Sequence, residues 1–286
     1  MTGDLSLRNS TSLDHSAEVA STFDGRVDLF GHTGQAKLYS SFRPSYNHEI
    51  VNSIVALIPP ASRQLCLDVA CGPGLFTALI GPYFQKTVGL DMSLEQLNHA
   101  TTVDGVDITY VPGSAFSLPM KAGTVDLVTV AQGLHWLVPY EKFFAEVLRI
   151  LKPGGSFVAL AYAFPRLVNT RANIAVRHFY EDVLGGHLAP GESGCWWETN
   201  RPTIDGFYKD IEFPLPSTLS HFNETKRMSV AEYINYLRTL SAYRTLLRSG
   251  EPDPLPAVES AVTLDAVDGY LEVEIPYFTV SFTKNI

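Results

Sequence analysis

Between Gln64 and Tyr162 short apolar runs alternate with stretches whose apolar residues recur at helical spacing, the rhythm of βαβ units and hence of a parallel sheet. Four or five strands are legible: Gln64 to Val69, Lys86 to Leu90, Ile108 to Val111, Val125 to Ala131 and Ser156 to Ala161. Each is too short for a helix and mostly apolar, as strands covered on both faces are. Ser93 with Gln96 spells a capping box for the helix after the second strand, and Lys152-Pro153-Gly154-Gly155 stops a helix that begins near Pro139. Upstream, Ile50, Val51, Ile54, Val55 and Ile58 mark one face of a helix that Ser45 would cap and Pro59-Pro60 would end.

Beyond Phe164 this rhythm is lost, and an irregular segment with Trp196, Trp197, Pro202, Pro214 and Pro216 runs to about Arg227. A connection of that length inside a compact domain is usually functional. Ser229 and Glu232 form a second capping box, opening a helix read through Leu247 with Tyr233, Tyr236, Leu237, Leu240 and Tyr243 near one face. Residues 163–250 are therefore expected to contain a lid over the substrate. Tyr270 to Lys284 alternates and is β-rich, which predicts an antiparallel strand at the sheet edge. Residues 1–25, rich in Ser, Thr and Asp, read as a poorly ordered tail, and residues 26–286 as a single domain.

Composition narrows the partners. The formal charge of -9, without a basic run, argues against a polymer held through its phosphates, so isolated arginines such as Arg43, Arg166 and Arg201 suit one small anion better than a nucleic acid. Three cysteines, Cys66, Cys71 and Cys195, cannot close into a complete disulfide set, which favours a reducing compartment. No secretory leader or spanning apolar stretch is legible, so the expected location is the cytoplasm, with no membrane partner. Oligomeric state is left open, and no His/Cys cluster has the spacing of a metal site.

The chemistry concentrates at Leu65-Cys66-Leu67-Asp68-Val69-Ala70-Cys71-Gly72-Pro73-Gly74, where an apolar strand ends in an acid and a glycine turn leads into a helix. In doubly wound sheets ligands bind at such carboxyl ends. A nicotinamide-dinucleotide fingerprint would need a third glycine where Thr77 stands, which weakens the pyrophosphate reading. Asp91 ends the second strand, about twenty residues on, where such folds place an acid that accepts hydrogen bonds from ribose hydroxyls. Ser93 already supplies the helix cap, so Asp91 reads as a ligand group, and the two acids bracket a nucleoside.

The run Asp68 to Gly74, the Asp91 tip, Gly113-Ser114-Ala115 and Ala131-Gln132-Gly133-Leu134-His135-Trp136 resemble the motifs of class I S-adenosylmethionine-dependent methyltransferases. The resemblance implies an α/β, Rossmann-like fold: a seven-stranded, mostly parallel sheet with helices on both faces and an inserted lid. It implies S-adenosylmethionine as cofactor and S-adenosylhomocysteine as product, held by Asp68, Ala70, Gly72, Gly74, Asp91, Met92, Ser114, Ala115 and Ala131. One departure is Ala70, where the family usually has glycine, so the turn must accept a Cβ. Outside the core, Tyr39-Ser40-Ser41-Phe42-Arg43-Pro44-Ser45-Tyr46, His135-Trp136, Trp196-Trp197-Glu198 and the tyrosines from Tyr233 to Tyr243 are similar to the trans-aconitate methyltransferase-like family. That similarity implies methyl esterification of a small carboxylic acid.

A carboxylate acceptor, with an ordinary pKa of about 4, needs no base at neutral pH. The expected acceptor site has Arg43, with Arg166 or Arg201, gripping the acid, and Tyr39, Tyr46, Trp136, Trp196 and Trp197 as walls. His135 has two readings: a base for a hydroxyl, thiol or amine acceptor, or a histidine that holds its loop by a hydrogen bond. Two rival functions follow, O-, S- or N-methylation of another small metabolite, and a methyltransferase-like cofactor-binding protein without methyl transfer.

Overall fold

The computed structural model describes residues 46–168, 170–184, 208 and 211–285, and the backbone of Thr22–Phe23 (β1) and Arg26–Val27 (β2), which pair antiparallel. The rest of the expected tail lies outside the described residues. Helix α1, His48–Val55, buries Ile50, Val51, Ile54 and Val55 as their spacing predicts. Its cap corrects the expectation: the Asn47 side chain, not that of Ser45, accepts from the Ile50 N–H at 3.0 Å.

The βαβ series then follows: β3 Leu65–Val69, α2 Leu75–Ile80, β4 Lys86–Asp91, α3 Leu94–Asn98, β5 Ile108–Pro112, β6 Val125–Ala131, α4 Tyr140–Ile150 and β7 Leu151–Tyr162. Beyond β7 lie β8 Arg166–Leu167, α5 Thr170–His178 with a π-helical turn over Phe179–Val183, β9 Thr218–Ser229, α6 Val230–Arg238, α7 Ser241–Arg248, α8 Leu255–Leu264 and β10 Tyr270–Thr283. The sheet order is β5-β4-β3-β6-β7-β10-β8, with β9 on the other edge of β10. The first five strands are parallel, and β10 runs antiparallel to β7.

Alternation along β7 separates the two faces. Val158, Leu160 and Tyr162 join a core with α1, α2 and α6 to α8, while Phe157, Ala159 and Ala161 join a second core with Phe143, Phe144 and Val147 of α4. Both faces of the sheet are thus covered, as the apolar strands require.

Four expectations are corrected. The sheet has eight strands among the described residues instead of seven. The segment read as irregular to Arg227 contains β9, whose alternate residues are exposed and so carry little apolar signal. β10 is antiparallel as expected but interior, because β9 covers its outer edge. The helix read from Ser229 through Leu247 is two: its capping box forms, with Ser229 N donating to Glu232 at 2.7 Å, but the Thr239 hydroxyl takes the Tyr236 carbonyl at 2.6 Å and Leu240 is extended.

Candidate cofactor and methyl-transfer site

Strand order reverses between β3 and β6, since β4 and β5 lie to one side and β7 to the other. A crevice opens at the carboxyl ends of strands flanking such a reversal. The residues at both tips take left-handed backbone without being glycine: Ala70 (φ 55°) after β3 and Gln132 (φ 57°) after β6. Each such residue costs roughly 1–2 kcal/mol, a cost that structures tend to retain at functional sites. Room for the Ala70 methyl comes from Gly133, where a Cβ would stand 2.9 Å from it. Ala70→Gly is expected to stabilise the fold by about 1 kcal/mol in urea titrations, the strain outweighing the added chain entropy; unchanged stability would show the methyl contacts to be worth as much.

Asp68 is fully buried beneath this turn, its Oδ2 accepting from the Thr77 hydroxyl at 2.6 Å and its Oδ1 from that of Thr129 at 2.7 Å. It ties β3, α2 and β6 together under the crevice. The expectation that Asp68 brackets a nucleoside with Asp91 is therefore corrected to support of the turn, because both oxygens face the protein's own hydroxyls. Burial pushes its carboxyl up to about 6, against the lowering effect of the two hydroxyls. Thr77, which sequence reasoning weighed only as a missing glycine, is the residue that grips the acid. Its side-chain role rests on a helix start folding back over a strand, which no local pattern spells out.

Gly72 and Gly74 differ in what they make room for. At Gly72 (φ +55°) an added Cβ would meet only Gln96 Oε1 at 3.7 Å, so space is open to a ligand. At Gly74 (φ +73°) it would collide with the hydroxyl and ring of Tyr110, whose Cζ would lie at 2.6 Å. The room expected for a ligand there is filled by the protein itself. Tyr110 also crosses Gly89, and its hydroxyl donates to the Thr101 carbonyl at 2.6 Å.

Asp91, at the tip of β4, accepts from Gly72 N at 2.7 Å through Oδ2 and from Ser93 N at 2.9 Å through Oδ1. One carboxylate thus fixes the glycine turn against the next strand and also supports the cap residue of α3. It is partly exposed, as is Met92 beside it. The β5 loop joins this tip through Gly113 N to the Asp91 carbonyl at 3.0 Å, which sets partly exposed Ser114 and buried Ala115 next to it. Ala131 ends β6, and Gln132 is anchored by its N–H to the Leu160 carbonyl at 2.8 Å and by Nε2 to the Tyr162 carbonyl at 3.4 Å. His135 and Trp136 follow in a 3-10 turn over Leu134–Trp136, their rings 4.9 Å apart.

Tyr46 packs edge-on to Phe76 of α2 at 5.2 Å and near Tyr162 and Tyr277, making it part of the aromatic wall between α2 and the β7–β10 pair. Arg166 is exposed and pairs with Glu274 at 3.5 Å, so the structure gives it a surface role in place of the expected anion grip. Tyr39, Arg43, Trp196, Trp197 and Arg201 lie outside the described residues. Among the described residues no group of His, Cys, Asp and Glu could hold a metal ion, and no helix is long and apolar enough to cross a membrane.

The open space at Gly72, the partly exposed Asp91 carboxylate and the reversal of strand order fit a nucleoside-bearing cofactor. Residues 67–159 match the family model described as a methyltransferase domain. A Dictyostelium discoideum protein named as a methyltransferase is 29% identical over 90% of this chain and 95% of its own length. A Saccharomyces cerevisiae protein named as an S-adenosylmethionine-dependent methyltransferase is 31% identical over 76% of this chain and 82% of its own. A methyltransferase structure from Anaeromyxobacter dehalogenans, 23% identical, superposes with a TM-score of 0.72 over 86% of this chain and 100% of that one, which shows the shared fold. The chain belongs to the S-adenosylmethionine-dependent methyltransferases, and its cofactor is S-adenosylmethionine.

Proposed function

We propose that this methyltransferase esterifies a carboxylate of a small organic acid such as trans-aconitate. The observation that carries the reading is the state of the ionisable side chains at the turn. Asp68 has both oxygens engaged by hydroxyls. Burial pushes the Cys71 thiol well up, and the Tyr110 hydroxyl, also pushed up by burial, donates to a carbonyl. None of the three is set to take a proton from an acceptor, and a carboxylate has none to lose. When bound, S-adenosylmethionine supplies a methyl group on a positively charged sulfur and leaves as S-adenosylhomocysteine. The residues' task is then to align the acceptor and exclude water.

In this reading Asp91 accepts the ribose hydroxyls, Gly72 lets the backbone approach the methionine part, and Met92, Ser114 and Ala115 flank the adenine. Ala131 borders the cofactor, and His135 and Trp136 border the acceptor, with the segments carrying Tyr39, Arg43, Trp196, Trp197 and Arg201 assigned to its pocket from their sequence. The acidic charge supports a small acceptor over a nucleic acid. Residues 163–250 supply its cover. Asp91→Asn puts an amide N–H₂ where an acceptor oxygen is needed, so S-adenosylhomocysteine should bind about tenfold more weakly by calorimetry; wild-type affinity would remove Asp91 from the cofactor.

The function is tested by incubating the protein with S-adenosylmethionine and a panel of di- and tricarboxylic acids, with mass spectrometry of the products. A methyl ester is expected, formed at a rate that does not vary near pH 6.5, the ordinary pKa of histidine. Turnover confined to phenols, thiols or amines, rising with pH through that value, would replace the acid with a protonated acceptor and make His135 its base.

A further inference from the structure

Among the described arginines, Arg244 and Arg248 stand apart. Arg149, Arg166 and Arg177 pair with glutamates, Arg63 donates to the Ile58 and Val55 carbonyls, Arg227 lies on the Tyr270 ring and Arg238 bonds to Asn235. Arg171 is engaged as well. Arg244 is half-buried, and its Nε is buried without a hydrogen-bond partner. Arg248, one turn further along α7, has no acidic partner among the described residues, and its charge adds to the burial that lowers the pKa of Arg244. Like charges at this spacing repel on a helix, and a buried guanidinium N–H without an acceptor is costly. Asp253 forms no ion pair with either among the described residues, its Oδ1 accepting from the Tyr243 hydroxyl at 3.0 Å and from Leu255 N at 2.9 Å.

Topology gives this pair its place. β9 is antiparallel to β10, which is antiparallel to β7, so β9 runs parallel to β7 and ends, at Ser229, on the carboxyl-terminal side of the sheet. α6 to α8 leave from that end and return to it at Tyr270, the same side as the glycine turn. Ala242, Tyr243 and Leu246 of α7 share the core that contains Tyr162, whose carbonyl holds Gln132 at the tip of β6.

We propose that Arg244 and Arg248 bind an acid group of the methyl acceptor, an inference that rests on the carboxylate reading above and assigns that acid its cations. Two guanidiniums one helical turn apart suit a di- or tricarboxylate, with Arg244 giving the desolvated grip and Arg248 the exposed one.

The test uses the full-length protein saturated with S-adenosylmethionine, on an acid that the wild type methylates, with Arg244→Gln, Arg244→Lys and Arg248→Gln. Arg244→Gln should raise the KM for the acid by about tenfold or more and Arg248→Gln by several-fold, with kcat held within about twofold. Binding of trans-aconitate to the protein–S-adenosylhomocysteine complex, by calorimetry, should weaken in parallel while affinity for S-adenosylhomocysteine is kept. Arg244→Lys should recover part of the loss, since it keeps the charge without the fork. Because Arg248 is exposed, its replacement leaves folding intact and keeps the test decisive should Arg244→Gln unfold. Wild-type KM in both glutamine variants, with acids still methylated, overturns the arginine pair alone. A wild type that neither binds nor methylates any acid overturns the carboxylate reading, and the pair's assigned ligand with it.

Discussion

Gly74→Ala is expected to destabilise the protein by about 3 kcal/mol, from left-handed strain of roughly 1–2 kcal/mol together with overpacking of roughly 1–3 kcal/mol. The new methyl would run into the Tyr110 hydroxyl and ring at a position whose φ is +73°. Gly89→Ala meets the same ring, with Cδ1 at 2.6 Å, but in backbone that carries no left-handed strain. A cycle with Tyr110→Ala separates the two costs. Removing the ring should cancel the larger part of the added cost of Gly89→Ala, the contact with Cys71 Sγ at 3.0 Å remaining, but only the overpacking part of Gly74→Ala, leaving about 1–2 kcal/mol there. Urea titrations of the single and double variants read this directly. Additive effects at Gly89 would show that Cys71 or the backbone, and not Tyr110, sets the room there. The consequence for function is that Tyr110 braces the helix-side half of the glycine turn, so that only the Gly72 half is left open to the cofactor.

That division explains what the sequence could and could not reveal. The parallel core was legible because fully covered strands such as Val125–Ala131 are mostly apolar, and because Asp91 and the glycine turn stand at strand tips. β9 was not, since a strand with one exposed face and residues such as Asn223, Glu224, Lys226 and Arg227 lacks an apolar run. The break at Thr239 was hidden as well, because it depends on one hydroxyl closing on a carbonyl three residues back while the helical periodicity continues across it. In the site, Ala70 announced its strain by departing from glycine, but the space that tolerates it belongs to Gly133, more than sixty positions along the chain. Nothing in the sequence around Arg244 sets it apart from other arginines. Its distinction is the lack of an acceptor for a buried N–H, a property of packing and not of spacing.

The second large effect concerns the acid beneath the turn and is read in pH. Asp68 moves from an ordinary carboxyl pKa, 3.8, to about 6 on folding, because burial penalises its charge by more than the two threonine hydroxyls recover. A group whose folded pKa is raised contributes stability that is fully present below the unfolded value and is lost as pH rises through the folded one. Its window therefore runs from about pH 4 to about pH 6, with an amplitude of about 3 kcal/mol. Asp68→Asn removes the titration while keeping an oxygen to accept from one threonine and an amide to donate to the other, whose hydroxyl can turn. The stability of the wild type minus that of Asp68→Asn should accordingly fall by about 2.4 kcal/mol between pH 4 and pH 7, the other carboxylates cancelling in the difference. Thr77→Val, which deletes one of the two hydroxyls that favour the charged form, should move the upper end of the window to higher pH. A difference that stays constant over this range would mean that Asp68 keeps its ordinary pKa when folded. The turn would then rest on a carboxylate that water still reaches, and not on the dry anchor that Thr77 and Thr129 make of it.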